Sequence, residues 1–327
     1  MNQARLPLRD MERLPGSVAV IIAAYNAAAF IKRAIASALA QPEVQQVIVV
    51  DDASSDDTIQ QAHAADDGSG RLLVLECSKN GGPSLARNRA LERCHTEWVC
   101  VLDADDFFLS GRIGKLLALA DGVDFIADDL LKVAEENIDG PRTQLIGEML
   151  SLPRHLMLEE FVVSNIPDAS RPRAELGFLK PLMRRAFLQK RGLRYRQEMR
   201  LGEDYELYCR ALSLGAIWNL APPCGYVAVV RRDSISGSHS IADLKALLDC
   251  DSRLLIELSL SADEQMAIQK HRLSTDARMK WRLLILAIKE KRPLRAILLF
   301  VGHPSTSFYL ISRLLEQVRI RAWNKTE

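Results

Sequence analysis

The chain has 327 residues, 48% of them hydrophobic and 26% charged, and its net charge is +1, which describes an ordinary soluble globular protein. Its longest apolar runs are about six residues, and a spanning helix needs roughly 20, so a membrane-spanning protein is excluded. The six cysteines form no CxxC pair, which disfavours a zinc site or disulfide framework and predicts buried free thiols in a reducing cytosol. Residues 1–16 are charged without an apolar core, and we expect no signal peptide there.

Residues 17–129 alternate short apolar runs with helical patterns. This alternation predicts βαβ units and a mostly parallel sheet, an α/β fold. The helix after the second strand is predicted to begin with a capping box of Ser54 and Asp57. The predicted strands are "SVAVIIAA", "VQQVIVVD", "RLLVLEC", "EWVCVLD" and "DGVDFIADD", and the helices are "AAFIKRAIASALA", "SSDDTIQQAHAA" and "GGPSLARNRALERC".

The alternation fades in the second half of the chain. "DDLLKVAEENIDGPRTQLIGEML" predicts a hairpin or irregular strands, and "WNLAPPCGYVAVVRR" contains further strands. "LKPLMRRAFLQKRG" and "GEDYELYCRALSLG" predict helices, the second with Glu203 and Asp204 in its first turn, where the helix dipole favours anions. From Ile241 the chain is predicted to be helical, with breaks at Pro293 and Pro304.

Polar residues follow each predicted parallel strand, at the edge where ligands bind in such sheets. The segment "DADD" places Asp103, Asp105 and Asp106 where the fourth strand ends. Mg²⁺ or Mn²⁺ takes oxygen ligands, usually one or two carboxylates plus phosphate oxygens, so this pattern suits a metal–diphosphate site. A solvated acidic turn is the alternative, and the segment by itself leaves both open.

The order of the motifs resembles one known family. "AAYN", "VVDDASSDDT", "NGGPSLARN", "VLDADD" and, some hundred residues on, "GEDYELYCRAL" are similar to the inverting glycosyltransferases of family 2, which have the GT-A fold. Within that family, "VLDADDFFLSGRI" and "LGEDYELYCRALSLGA" are most similar to bacterial exopolysaccharide glucosyltransferases of the succinoglycan type. The resemblance implies a nucleotide-sugar-binding half at 17–129 and an acceptor-binding half at 130–239, after an N-terminal extension at 1–16.

The resemblance also implies a role for each matching residue near the nucleotide. Ala24 and Tyr25 would shape the uracil pocket, Asp52 would accept a hydrogen bond from the uracil ring, and Asp51 would support that turn. Two basic residues would line the nucleotide, namely Lys79 and Arg87.

The remaining roles concern the reacting groups. Asp103 would lie near the ribose, and Asp105, with Asp106 beside it, would bind a Mn²⁺ or Mg²⁺ ion that bridges the diphosphate. Asp204 would be the catalytic base and Glu203 would support acceptor binding. A loop that often closes over the donor phosphates is matched by Arg231, Ser236 and His239, with His239 a further candidate metal ligand.

The implied reaction moves a hexose, with glucose expected, from a UDP-sugar to a hydroxyl of a lipid-linked oligosaccharide in exopolysaccharide biosynthesis. Two alternatives stay open, a sugar nucleotidyltransferase and a non-catalytic GT-A scaffold. The first should show a Gly-rich basic loop after strand one, which "AAYNAAAF" lacks. A NAD-binding dehydrogenase is disfavoured because no GxGxxG follows that strand.

The C-terminal region, residues 240–327, is predicted to be a basic helical extension. From Met266 to Glu327 it has 13 Lys and Arg against 4 Asp and Glu, a balance of +9. Its mixture of Trp281, Leu, Ile and Phe300 with basic residues predicts contact with an anionic membrane surface. We therefore expect a cytoplasmic protein, peripheral on the inner face of the cytoplasmic membrane. A helical bundle packed on the catalytic domain is the alternative, and no nucleic-acid partner is expected.

Overall fold

The computed structural model describes residues 16–147, 153–167, 175–231 and 239–323. The strands are β1 (Val18–Ala24), β2 (Val44–Asp51), β3 (Leu72–Glu76), β4 (Trp98–Val101), β5 (Phe107–Phe108), β6 (Phe125–Asp128), β7 (Leu131–Ala134), β8 (Thr143–Gln144), β9 (Arg154–His155), β10 (Leu182–Arg184), β11 (Trp218–Ala221) and β12 (Tyr226–Val230). The helices are α1 (Ile31–Leu39), α2 (Thr58–His63), α3 (Pro83–Leu91), α4 (Arg112–Leu117), α5 (Leu158–Ser164), α6 (Arg185–Lys190), α7 (Glu203–Ser213), α8 (Ile241–Glu257), α9 (Ala262–Lys289), α10 (Pro293–Leu298) and α11 (Pro304–Trp323).

One eight-stranded sheet in the order β3-β2-β1-β4-β10-β6-β11-β9 forms the centre of the molecule. The pairs β1–β2, β1–β4, β2–β3 and β6–β11 are parallel, while β10 and β9 run antiparallel to their neighbours. The predicted α/β class with a mostly parallel sheet is confirmed. Because β6 pairs with both β10 and β11, this sheet continues across the predicted boundary at residue 129.

Strands β1 and β4 consist of uninterrupted apolar residues because both of their faces are buried. Six of the seven residues of β1 are buried, as are all four of β4. Helix α1 turns five apolar residues toward this layer, from Ile31 to Leu39. The six cysteines are all free and buried, as their scatter predicts.

Two local predictions are wrong. The segment predicted as one helix from Leu179 contains strand β10, which pairs antiparallel with β4 and β6 before α6 begins. Pro181 disfavours a helical conformation for Lys180, so the chain enters this segment extended. The predicted capping box is also not formed, since the side chain of Asp57 makes no cap hydrogen bond at α2 and the Ser54 hydroxyl donates to Asp51 instead.

A second sheet, in the order β5-β12-β7-β8, packs beside the first. Its β7–β8 pair is antiparallel, as the predicted hairpin requires. Below it, the buried Arg112 guanidinium donates to Asp128 at 2.7 Å and to the Lys180 carbonyl at 2.8 Å. Asp128 also accepts the backbone N–H of Tyr226, so one buried ion pair ties both sheets together beneath the cleft described below.

The C-terminal helices divide into a packed part and an exposed part. Tyr205 of α7 donates to Asp251 of α8 at 3.1 Å, and Asp251 contacts His271 of α9 at 2.7 Å, in a buried cluster that fixes these helices on the sheet domain. Helix α10, by contrast, has no buried residue. None of the helices in the described part of the chain is long and apolar enough to cross a membrane.

Candidate active site

A cleft of about 780 Å³ opens at the carboxyl ends of β1 and β4, opposite the N-terminus of α7. Its size suits a nucleotide sugar. Most of the residues predicted from the sequence line it, although they come from distant parts of the chain. They are Tyr25, Arg87, Asp103, Asp105, Asp106, Glu203, Asp204, Arg231 and His239.

Four predicted nucleotide contacts do not line this cleft. Ala24 is buried, and its carbonyl accepts the Asp52 N–H at 2.8 Å. The Asp52 carboxylate accepts the backbone N–H groups of Gly81 and Gly82 at 2.8 and 2.7 Å, so it anchors the turn before α3. Asp52 is only 3% exposed. A contact between its carboxylate and a uracil ring stays a prediction.

Asp51 and Lys79 are the other two predicted residues outside the cleft lining. Asp51 accepts hydrogen bonds from the N–H and hydroxyl of Ser54 and so holds the β2–α2 turn, as its supporting role requires. Ser54 in turn accepts the Asn26 N–H, which links the two loops that follow β1 and β2. Lys79 is exposed on the loop after β3, and its contact with a nucleotide stays a prediction.

An ionic cluster joins the end of β4 to the start of α7. Arg87 of α3 contacts Asp103 at 2.9 Å, Glu203 at 2.5 Å and Asp204 at 3.5 Å. Lys180 contacts Asp103 at 3.0 Å and Asp204 at 2.6 Å. Two cations thus hold three carboxylates at the floor of the cleft, which leaves a formal charge of −1.

Local structure explains why Arg87 meets α7. The Asn88 side chain donates to the Tyr195 carbonyl at 2.7 Å and accepts the Tyr195 N–H at 2.9 Å, which ties α3 to the segment leading into α7. Gly202 then starts α7 with a φ of +76°, and a Cβ there would lie 2.5 Å from the Leu247 side chain. The left-handed conformation and this close approach both require glycine before Glu203.

Charge compensation within the cluster fixes its protonation. Burial opposes ionisation of Asp103, but the charges of Lys180 and Arg87 more than offset it and hold the pKa of Asp103 at about 2. Burial raises the pKa of Glu203 even though Arg87 lies beside it. Burial would likewise lower the pKa of Lys180, but the charges of Asp103 and Asp204 raise it, so the ammonium stays charged.

Asp105, like Asp103, has a partly exposed side chain at the cleft, but Asp103 pairs with two cations and Asp105 with Arg231. The Asp105 side chain is 35% exposed, and its contact with Arg231 is at 3.2 Å. Burial and the neighbouring charge of Asp103 raise the pKa of Asp105. Arg33 donates to the Asp105 carbonyl at 2.7 Å and fixes the turn. An incompletely neutralised carboxylate at this position fits a divalent cation that phosphate oxygens complete.

The other candidate metal ligands have protein partners. Asp106 accepts the Tyr226 hydroxyl and the Val229 N–H, both at 2.8 Å, so both of its oxygens are engaged. His239 Nδ1 lies 2.7 Å from an Arg278 guanidinium nitrogen. Metal binding by Asp106 or His239 stays a prediction, and this geometry favours Asp105. Ser236 lies outside the described residues.

Lys180 is the site residue that sequence reasoning missed. Lys180 lies in the segment predicted to be a helix, whereas the chain there is extended and leads into β10. A signal was present, because "GFLKPLM" sets a single lysine in an apolar run, and a lysine in such a run is rarely buried unless it is paired. Its carboxylate partners, Asp103 and Asp204, are 77 positions before it and 24 positions after it. The sequence around Lys180 therefore does not identify them.

The chain is similar to known proteins in sequence and in fold. Residues 19–173 match the sequence profile of Glycosyl transferase family 2. Over 257 residues the chain is 49% identical to "Succinoglycan biosynthesis protein ExoU" of Rhizobium meliloti, covering 79% of this chain and 75% of that protein.

Two solved structures are similar in fold. One is S. aureus TarS 1–349 in complex with UDP-GlcNAc, with a TM-score of 0.62 and 17% identity over 86% of this chain and 90% of that chain. The other is the mannosyltransferase PcManGT from Pyrobaculum calidifontis in complex with GDP-Man and Mn²⁺, with a TM-score of 0.57 and 16% identity over 94% and 88%. Both likenesses confirm the predicted fold class.

Proposed function

Because this chain belongs to glycosyl transferase family 2, we propose that it moves a hexose from a UDP-sugar to a hydroxyl of a lipid-linked oligosaccharide in exopolysaccharide biosynthesis. Glucose is the expected hexose. The observation that carries this proposal is the ionic cluster, which sets the carboxylate of Asp204 opposite Asp103 and Asp105 across one cleft. The likeness to a succinoglycan biosynthesis protein supports the acceptor class.

Asp204 is proposed as the base. Its Oδ2 lies 2.6 Å from Lys180 and its Oδ1 lies 3.5 Å from Arg87, and these two contacts fix the carboxylate at the floor of the cleft. It takes the proton of the acceptor hydroxyl, whose oxygen then attacks the sugar C1 as the bond to UDP breaks. Attack from the face opposite the leaving group inverts the anomeric centre in one displacement.

The residues near Asp105 are proposed to hold the donor. Arg231, which contacts Asp105 at 3.2 Å, supplies positive charge where the diphosphate would lie. Mn²⁺ or Mg²⁺ held by Asp105, when bound, would neutralise the negative charge that develops on the UDP leaving group. Tyr25, 54% exposed at the end of β1, offers a ring for the base of the nucleotide.

Replacing Asp105 with Asn should weaken UDP binding in the presence of Mn²⁺ and leave the weaker binding in EDTA unchanged, because only the metal-dependent part needs the carboxylate. Calorimetry with both conditions measures the two parts separately. Asp106→Asn is the matched comparison in the same turn. Equal loss in both variants would move the metal site away from Asp105 alone, and unchanged binding in Asp105→Asn would remove it from the site.

The proposed location is the cytoplasmic face of the membrane, with peripheral contact through the C-terminal helices. Helix α10 exposes Leu294, Ile297 and Leu298 at 77%, 64% and 67%, next to Arg292 and Arg295. Apolar side chains flanked by cations are typical of a helix that lies in a membrane interface. The packed cluster around Asp251 supports the bundle alternative for α8 and the first half of α9.

The transfer reaction itself is tested with a panel of UDP-hexoses and lipid-linked saccharides extracted from exopolysaccharide-producing cells. We expect UDP release that needs both a donor and the extract, and fastest release with UDP-glucose. UDP binding without release from any hexose would favour the scaffold alternative. Release of diphosphate from UTP and a sugar phosphate would favour the nucleotidyltransferase.

A further inference from the structure

A second concave surface lies between α9 and α11, beside the start of α8. This groove has a volume of about 630 Å³ and is separate from the floor of the cleft. The part of its lining that the structure describes combines four cations with apolar and aromatic side chains and includes no carboxylate. The lining residues are Ile241, Arg278, Trp281, Arg282, Ile285, Leu286, Lys289, Tyr309 and Arg313.

Helix α9 places cations and apolar groups on the same face. Arg278, Arg282 and Lys289 share the spacing of three, four and seven residues that also brings Trp281 and Ile285 into the groove. A helix that only packs against a neighbour keeps charges off its apolar stripe, because burying an unpaired charge is costly. On this face of α9 the cations Arg282 and Lys289 stay exposed beside the half-buried Trp281 and Ile285, an arrangement that can meet an anion and an aliphatic group together.

The positive charge of the groove is only partly neutralised. Among the described residues, no carboxylate lies within ion-pair distance of Arg282 or Lys289. Arg313 does have one, Glu316 at 2.5 Å, and it also lies over the Trp281 ring, with its guanidinium carbon 5.8 Å from the ring centroid. Arg282 and Lys289 are thus exposed and can bind an anion in a groove that is also lined by aromatic and aliphatic side chains.

Arg278 connects the groove to the cleft, since its side chain lines both. From Arg278 to Lys289 the helix advances about 16 Å, at 1.5 Å per residue. Beyond Lys289 the chain reaches the exposed apolar side chains of α10. The order along the molecule is then a cleft for sugars, a basic and aromatic groove, and an apolar surface.

We propose that this groove binds the phosphate or diphosphate group of the lipid-linked acceptor together with the first part of its aliphatic chain. The proposal rests on the proposed function and names the part of the acceptor that the C-terminal helices recognise. Arg282 and Lys289 bind the phosphate oxygens, and Trp281 and Ile285 pack against the chain. The saccharide end of the acceptor then extends past Arg278 toward Asp204.

Farnesyl phosphate is a soluble probe for this groove, and UDP at saturation with Mn²⁺ keeps it out of the donor site. We expect wild-type protein to bind farnesyl phosphate more tightly than inorganic phosphate or farnesol, because both parts of the groove contribute. The double variant Arg282→Ala/Lys289→Ala should bind it at least about tenfold more weakly, through loss of two charge-assisted contacts. Lys245→Ala/Lys270→Ala removes the same charge from exposed positions of α8 and α9 outside the groove and should bind as wild type.

Three results would overturn the proposal. Equal binding of inorganic phosphate and farnesyl phosphate would make the groove a simple anion site. Equal weakening in both double variants would make the effect one of net charge. If the Arg282→Ala/Lys289→Ala variant lost binding to anionic vesicles but still bound farnesyl phosphate as wild type does, the groove would be a contact for bulk lipid headgroups.

Transfer kinetics supply a second readout. The Arg282→Ala/Lys289→Ala variant should raise KM for the lipid-linked acceptor with kcat unchanged, and an unchanged KM would contradict the proposal. UDP affinity, measured in the same preparations, separates the two levels of the account. Absent UDP binding counts against the proposed function, whereas intact UDP binding with no farnesyl phosphate binding counts against the groove alone.

Discussion

Replacing Asp204 with Asn is expected to lower the rate of sugar transfer about 10²–10⁴-fold, the range that a positioned base contributes, while UDP affinity stays near wild type. Asn keeps the shape of the side chain and can still accept from Lys180, which lies 2.6 Å away, but it cannot take the acceptor proton. The measurement is kcat with saturating donor and acceptor, alongside UDP calorimetry.

Glu203→Gln is the matched control, because Glu203 lies in the same turn of α7 and contacts the same Arg87. We expect this variant to raise the acceptor KM and to keep most of kcat. A loss of kcat in Glu203→Gln as large as that in Asp204→Asn would mean that the ion pairs with Arg87, and not the base, control the rate. Full activity of Asp204→Asn would remove the base assignment.

Replacing Lys180 with Met is expected to lower the free energy of unfolding by about 3–5 kcal/mol, the usual cost of removing one partner from a buried ion pair. Lys180 contacts Asp103 and Asp204, and without it Arg87 alone faces three carboxylates. Urea unfolding followed by tryptophan fluorescence measures the change.

Two comparisons keep the Lys180 result interpretable. Lys132→Met removes a second lysine that lines the cleft, and we expect a change within about 0.5 kcal/mol because Lys132 is half-buried and forms no ion pair with any of the described residues. In a double-mutant cycle, Asp204→Asn should recover part of the loss in Lys180→Met, since it removes one unpaired carboxylate. Equal stability of the Lys180→Met and Lys132→Met variants would show that the cluster does not hold the fold together.

The sheet of the first half was predictable because its signals are local. A strand buried on both faces must be largely apolar, so β1 and the second half of β2 could be predicted from their apolar runs, which are rich in Val and Ile. The polar residues after β1 and β4 could be placed at one edge because parallel strands end on the same side. Tyr25 and Asp105 line the cleft for this reason.

What could not be predicted depends on contacts between distant residues. Asp103 and Asp204 meet through Lys180 and Arg87, and no pattern in the chain encodes that their side chains converge. Strand β10 has only three residues and exists because β4 and β6 offer it edges on both sides. The turn at Gly81 and Gly82 donates to the Asp52 carboxylate, and this contact could not be predicted because it joins positions 29 and 30 residues apart.

Calorimetric titration of UDP into the wild-type protein, with Mn²⁺ and then with EDTA, tests the central claim most directly. If the cleft holds a nucleotide diphosphate through a cation at Asp105, UDP binds with micromolar affinity in Mn²⁺ and much more weakly in EDTA. Failure of UDP to bind under either condition would contradict the account, because the acidic turn after β4 would then be a turn without a ligand.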